Sequence, residues 1–119
     1  AFWPTVHEMH QLASRHYAFE GRCFVVAAGQ ILYAKDIPDY LEKPDAFKND
    51  PDQLLLKGGS CVIAPNGSFI LSPQMEKEDI FVVEINPDQT FEEKMTLDVS
   101  GHYNRPDIFE FNINRKRYY

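Results

Sequence analysis

The chain has 119 residues, enough for one modest domain and too few for two. With 44% hydrophobic and 25% charged residues it has the composition of an ordinary soluble globular protein. A net charge of −6 argues against nucleic acid or an anionic membrane as partner, and no apolar run approaches the roughly 18 residues that cross a bilayer.

The chain opens Ala1-Phe2-Trp3-Pro4, without an initiator Met, in what reads as the tail of a strand. No signal peptide is visible, and the sequence reads as a piece of something longer. Thr5–Ala28 is the organising stretch, a predicted helix running into a predicted strand. Thr5 with Glu8 three residues on has the form of a capping box, in which hydroxyl and carboxylate each take an unpaired backbone N–H. Met9, Leu12, Ala13 and Tyr17 recur at helical spacing and give one apolar face. Gly21 is the expected left-handed terminator. Cys23–Ala28 contains no polar residue, which predicts a strand covered on both faces.

Ile31–Gly58 holds Pro38, Pro44 and Pro51 with many charges and is too irregular for one element. Asp39–Glu42 and Asp52–Leu56 suggest single helical turns in a long connection. Gly58-Gly59 then makes a sharp entry into Ser60–Ala64, and Asn66-Gly67 joins this run to Ser68–Leu71 as a hairpin with a predicted type I′ turn. Pro73–Asp79 is turn-like, and Ile80–Ile85 reads as a third strand. Asn86 as cap and Pro87 at the first helical position open a short helix to about Leu97. The alternation in Ile108–Arg115 predicts a half-exposed edge strand. Arg115-Lys116-Arg117 reads as solvated charge.

Spacing alone assembles no catalytic site. Cys23 and Cys61 lie in apolar runs and read as small core residues of a reducing compartment, hence a cytoplasmic protein. Sequence leaves both a disulfide and a catalytic thiol open, although neither cysteine has the cationic setting that activates a thiolate. His7-Glu8-Met9-His10 has a spacing of three, not the four of a zinc-protease helix, and no third ligand is near, so no metal is expected. Gly58-Gly59-Ser60 lacks the lysine of a phosphate loop, and Ser60, Ser68 and Ser72 lack a nucleophile elbow.

Trp3-Pro4-Thr5, Ala13–Gly29, Gly58-Gly59-Ser60, Pro65-Asn66-Gly67 and Gly101-His-Tyr-Asn-Arg-Pro-Asp107 stand in the order seen in nitrilases of the carbon–nitrogen hydrolase superfamily. The resemblance runs from Phe2 to about Arg115, and its Gly-His-Tyr-x-Arg-Pro-Asp ending is typical of the nitrilase branch. It implies an α/β fold, the C-terminal part of an α-β-β-α sandwich, with residues 1–119 as the C-terminal portion of one hydrolase domain. Family members use a Cys nucleophile, a Glu base and a Lys. All three precede Trp-Pro-Thr in the family order, so none maps onto this chain, and Cys23 and Cys61 match structural positions.

The implied activity is cofactor-free conversion of a nitrile to a carboxylic acid and ammonia through a Cys thioimidate, with this chain alone inactive. By the same resemblance Trp3, Pro4, Thr5 and His7 line the substrate pocket, at a strand–helix junction of the kind where layered α/β folds hold ligands. The implied partners are a small nitrile and further copies of the chain in a homo-oligomer. The alternatives are an amidase-type or cyanide-degrading hydrolase, or a non-catalytic assembly module of this fold.

Overall fold

Residues 1–117 are described by a computed structural model. Five strands form one sheet: β1 (Phe2–Trp3), β2 (Val25–Gly29), β3 (Ile31–Tyr33), β4 (Leu54–Ile63) and β5 (Phe69–Met75). Three α-helices accompany it: α1 (Glu8–Gly21), α2 (Asp45–Asn49) and α3 (Asp88–Lys94). The sheet order is β1-β2-β4-β3, with β5 on the opposite edge of β4. β1 runs parallel to β2, while β2, β3 and β5 are all antiparallel to β4. This is the α/β class expected, a sheet carrying a helix layer as in the nitrilase sandwich.

The helix α1 forms where expected but meets the sheet with a different face. Ser14 and Ala18, one turn apart, are buried, and they are small enough for the helix to lie close to β2. The larger Met9, Leu12 and Tyr17 are more than half exposed. The periodicity found the helix, whereas the steric need for close approach chose the face. Beneath it the core gathers Val6, Ala18, Val25, Ala27, Cys61 and Ile63, with Trp3, Cys23 and Phe69 packed around.

Both helix ends differ from the sequence reading. His7, not Thr5, is the N-cap, and the His7 N–H donates to His10 Nδ1 at 3.3 Å. Thr5 is pulled into the sheet, so the Thr5–Glu8 capping box does not form. Gly21 remains helical and Arg22 takes the left-handed cap with φ 47°. That conformation suits Gly best, and Arg22 is held in it by its side chain. Its guanidinium, 3% exposed, donates to Pro65 O, Leu97 O, Glu93 and Thr96 Oγ1. It also lies over the Phe19 ring, 4.2 Å from the centroid.

β2 alternates instead of being covered on both faces: Val25 and Ala27 are buried and Val26 is 60% exposed. The hairpin is present, but β4 begins earlier than expected. Leu54-Leu55-Leu56 pair with β3 as strand, so the predicted helical turn at Asp52–Leu56 is replaced by sheet. Gly58-Gly59 are therefore an irregularity inside β4, not an entry to it. In the turn only Gly67 has positive φ; Gly67 N–H donates to Ala64 O and Ala64 N–H to Ser68 O. That is a three-residue loop with a bulge glycine, which Pro65 favours, and not the predicted type I′ turn. Asp39-Tyr40 make an isolated turn without a helix.

A short helix, α3, follows Asn86 as expected, but Pro87 is its cap and not its first residue, Asn86 Oδ1 accepts from Asp88 N–H, and the helix ends at Lys94 and not near Leu97. The strands predicted at Ile80–Ile85 and Ile108–Arg115 do not form. Both stretches have the alternation of a strand, but a strand exists only by pairing, and neither finds a partner among the described residues. Ile80, Val82, Phe109 and Phe111 are accordingly exposed. The radius of gyration, 19.4 Å, exceeds the ~13.5 Å of a compact chain of this length because these residues lie away from the sheet.

Candidate functional site

Since β1 and β2 are parallel, their carboxyl ends meet on one side of the sheet, Trp3 opposite Gly29. There the chain leaves β1 for α1 and crosses the break in β4. Gln30 N–H donates to Pro4 O (3.1 Å), Gly58 N–H to Gln30 O (2.9 Å) and Val6 N–H to Gly58 O (2.8 Å). The Thr5 hydroxyl accepts from Lys57 N–H at 3.0 Å. Ser60 Oγ accepts from Gly29 N–H at 3.0 Å. Three segments, 4–6, 29–30 and 57–60, are thus knotted together by backbone groups and two hydroxyls.

Glycine is required at this crossing by close approach. A Cβ on Gly29 would overlap the Gly58 carbonyl, and Gly58 itself has φ +74°. The glycines therefore serve backbone contact, and the phosphate-loop comparison has no counterpart in the geometry.

Phe2, Trp3, Pro4, Ala28, Gly29 and Gln30 surround a cleft of about 500 Å³ outside the carboxyl ends of β1 and β2. Trp3 also borders a second, more apolar cleft of about 470 Å³, with Ala13, Ser14, Tyr17 and Phe24 among its walls. The indole is a partition between them. Its ring stacks on His10, centroids 4.4 Å apart and planes 23° from parallel, and His10 stacks in turn on His7 at 5.9 Å. Of the four residues singled out from sequence, Trp3 and Pro4 lie in the first cleft's wall. Thr5 is buried and its hydroxyl is committed to Lys57 N–H. His7 is exposed at the helix N-terminus and borders neither cleft.

Gly29, Gln30 and His10 were not among the pocket residues expected from sequence, His10 having been weighed only as a metal ligand beside His7. The signal for the first two was present: they directly follow the apolar run that becomes β2, at the strand end where ligands collect in parallel sheets. His10 carried none, because its stacking depends on where Trp3 is brought.

The cysteines are both free thiols. Cys61 is buried, and burial pushes its thiol up, away from the thiolate that nucleophilic attack needs. Among the described residues no group of three or more metal-ligating side chains comes together. The Gly101–Asp107 motif folds on itself: Arg105 forks onto Asp107 with bonds of 2.7 and 2.6 Å, which holds that exposed carboxyl below its ordinary value. None of its residues borders the Trp3 clefts.

A strand–helix junction of this kind on an α/β sheet marks a ligand-holding face of a layered α/β protein. The family model for carbon-nitrogen hydrolase matches residues 4–92, and the chain belongs to that family. It is 39% identical over 98 residues to an arylacetonitrilase of Trametes versicolor, covering 82% of this chain and 31% of that protein. An aliphatic nitrilase of Sinorhizobium fredii is 33% identical over 115 residues, 95% of this chain and 37% of that protein. Nitrilase 2 of Arabidopsis thaliana is 34% identical over 110 residues, 87% and 32% respectively. The chain spans about a third of the length of the curated relatives it matches.

Proposed function

We propose that this chain is the C-terminal portion of a nitrilase-type hydrolase and supplies one wall of its nitrile pocket. The observation that carries this is the cleft at the carboxyl ends of β1 and β2, walled by Trp3 and Pro4, in a carbon-nitrogen hydrolase family member. Trp3 offers a flat apolar surface for the substituent of the nitrile, and Pro4 continues that surface. Thr5 acts one step back, fixing Pro4 through the bond to Lys57, and His7, which borders neither cleft, reaches the wall only through its stack on His10.

The reaction is nucleophilic. A cysteine thiolate adds to the nitrile carbon, a proton reaches nitrogen, and the thioimidate takes up water, expels ammonia and is hydrolysed to the acid. Cys61, buried and with its thiol pushed up, is unsuited to the first step, in line with a nucleophile, a Glu base and a Lys outside this chain. What Trp3 and Pro4 contribute is positioning, since a nitrile held against a fixed wall needs little further ordering before attack.

The test is a chimera in which this chain replaces the matching third of the Trametes arylacetonitrilase. The chimera is expected to release ammonia from an arylacetonitrile, while the 119-residue chain releases none. Trp3→Ala in the chimera should shift the ratio of rates for a small and a bulky nitrile by roughly 10- to 200-fold, as a methylene-sized mismatch does. A core tryptophan would instead cost about 3–5 kcal/mol of stability with the ratio unchanged, and the pocket assignment would then fall. Ammonia release by the chain itself, lost in Cys23→Ala or Cys61→Ala, would place the nucleophile here and overturn the division of labour.

A further inference from the structure

The geometry points to His10 as a positioning residue that sets the plane of the Trp3 indole, and so decides the width of the cleft beside it. The assignment rests on the proposed function only in calling that cleft the nitrile wall. Three observations converge. First, Trp3 Nε1 is buried and has no hydrogen-bond partner among the described residues, so no polar bond fixes the indole's rotation. Second, the strand that carries Trp3 is two residues long, and clefts of about 500 and 470 Å³ lie beside the ring. The indole has room to turn toward either.

Third, among the described residues the one aromatic neighbour in stacking range is His10, near parallel at 4.4 Å, and His10 is itself fixed twice. Its Nδ1 accepts the His7 N–H at 3.3 Å, which places the proton of the neutral ring on Nε2 and settles which edge faces the helix N-terminus. Its other aromatic contact is the His7 ring at 5.9 Å. A ring anchored by its helix cap thus stacks on a ring that packs against the core but that no hydrogen bond among the described residues orients. Stacking of this kind biases a side chain toward the stacked position by roughly two- to tenfold over the free rotamers. His10 touches no reacting atom and acts through Trp3 alone.

Trp3 is the sole tryptophan of the sequence, so its optical signal isolates the contact. In the 119-residue chain, near-ultraviolet circular dichroism and acrylamide quenching would be compared for the parent, His10→Phe, His10→Asn and His10→Ala. The same substitutions in the Trametes arylacetonitrilase chimera would be assayed by the ratio of rates for a small and a bulky nitrile. Phe keeps a stacking ring without the Nδ1 acceptor, whereas Asn keeps an acceptor to cap His7 without a ring.

The expected result is a parent-like indole band in His10→Phe. In His10→Asn and His10→Ala the band should collapse and quenching rise roughly two- to tenfold, the bias that stacking supplies. The ratio of rates in the chimera should follow the ring in the same order. Indistinguishable indole signals in all four proteins would overturn the assignment. So would loss of the band in His10→Phe with retention in His10→Asn, which would make the cap and not the stack the contribution of His10. If the signals behave as expected but the His10 variants leave the chimera's ratio of rates unchanged, positioning of Trp3 stands and the nitrile wall falls.

Discussion

Replacing Gly29 by Ala tests the crossing on which the candidate site is built. The added Cβ would overlap the Gly58 carbonyl oxygen and lie 2.5 Å from its carbon and 3.1 Å from Gly58 Cα. All three are backbone atoms, so no side chain can swing aside, and the two segments must part by more than an ångström. That movement stretches Gly58 N–H to Gln30 O and Val6 N–H to Gly58 O, which bracket the contact at 2.9 and 2.8 Å. Each net hydrogen bond is worth about 0.5–1.5 kcal/mol, and a buried group left unpaired costs about 1–3 kcal/mol more. Loss of both gives about 3–5 kcal/mol, a large part of the ~5–15 kcal/mol that holds a domain together.

The assay is a urea melt of Gly29→Ala against Gly21→Ala. Gly21 is helical, and a Cβ there meets nothing closer than Cys23 Sγ at 3.4 Å. Its replacement should be neutral or stabilise by about 0.5–1 kcal/mol, because Ala orders at lower entropic cost in a helix. Equal midpoints for the two variants would refute the reasoning, since they would show that segments 29–30 and 57–60 separate freely.

Arg22→Leu should release α3, whose own residues are not buried, at a cost on the order of 2–4 kcal/mol for the lost bonds, with Glu93 returning to water. Hydrogen exchange should then quicken at residues 88–97 more than in β2 and β4; uniform quickening would contradict a local clamp. Of the two thiols, Cys61 should react with a thiol reagent far more slowly than Cys23 until the chain is unfolded, because burial denies it both access and thiolate; equal rates in the folded chain would count against the core placement. The exposed Met9, Leu12, Tyr17, Ile80, Val82 and Phe109 predict self-association and binding of an apolar dye, measured by sedimentation and fluorescence. A dye-silent monomer would show that these side chains find cover within the chain.

The parts of this fold legible in sequence were those decided locally. Asn86-Pro87 opens a helix wherever it stands, and Pro65-Asn66-Gly67 between apolar runs folds back on itself in any surroundings. The misreadings occurred where a second segment decides. Leu54-Leu55-Leu56 suits helix or strand alike, and β3 made it strand. Ile80–Ile85 has a strand's pattern with no pairing edge to meet it among the described residues. Thr5 looked like a helix cap because Glu8 follows it, but Lys57 N–H claimed its hydroxyl. The site divided in the same way: Trp3, Pro4 and Gln30 sit at legible strand ends, whereas His10 matters only through the place to which the fold brings the Trp3 ring.

Arg22 also carries information about time. The carbonyl of Pro65 is 43 residues further along, and Glu93, Thr96 and Leu97 are 71 to 75 residues further. During synthesis, at ~5–20 residues per second, the guanidinium therefore waits several seconds in water after α1 has emerged. The hairpin turn can reach it first, and α3 can close over it only last. A chain stopped before residue 93 would leave the end of its first helix with a hydrated cation in a left-handed backbone conformation and three of its four hydrogen-bond partners unmade. The first helix of the sequence is thus among the last to have its end completed.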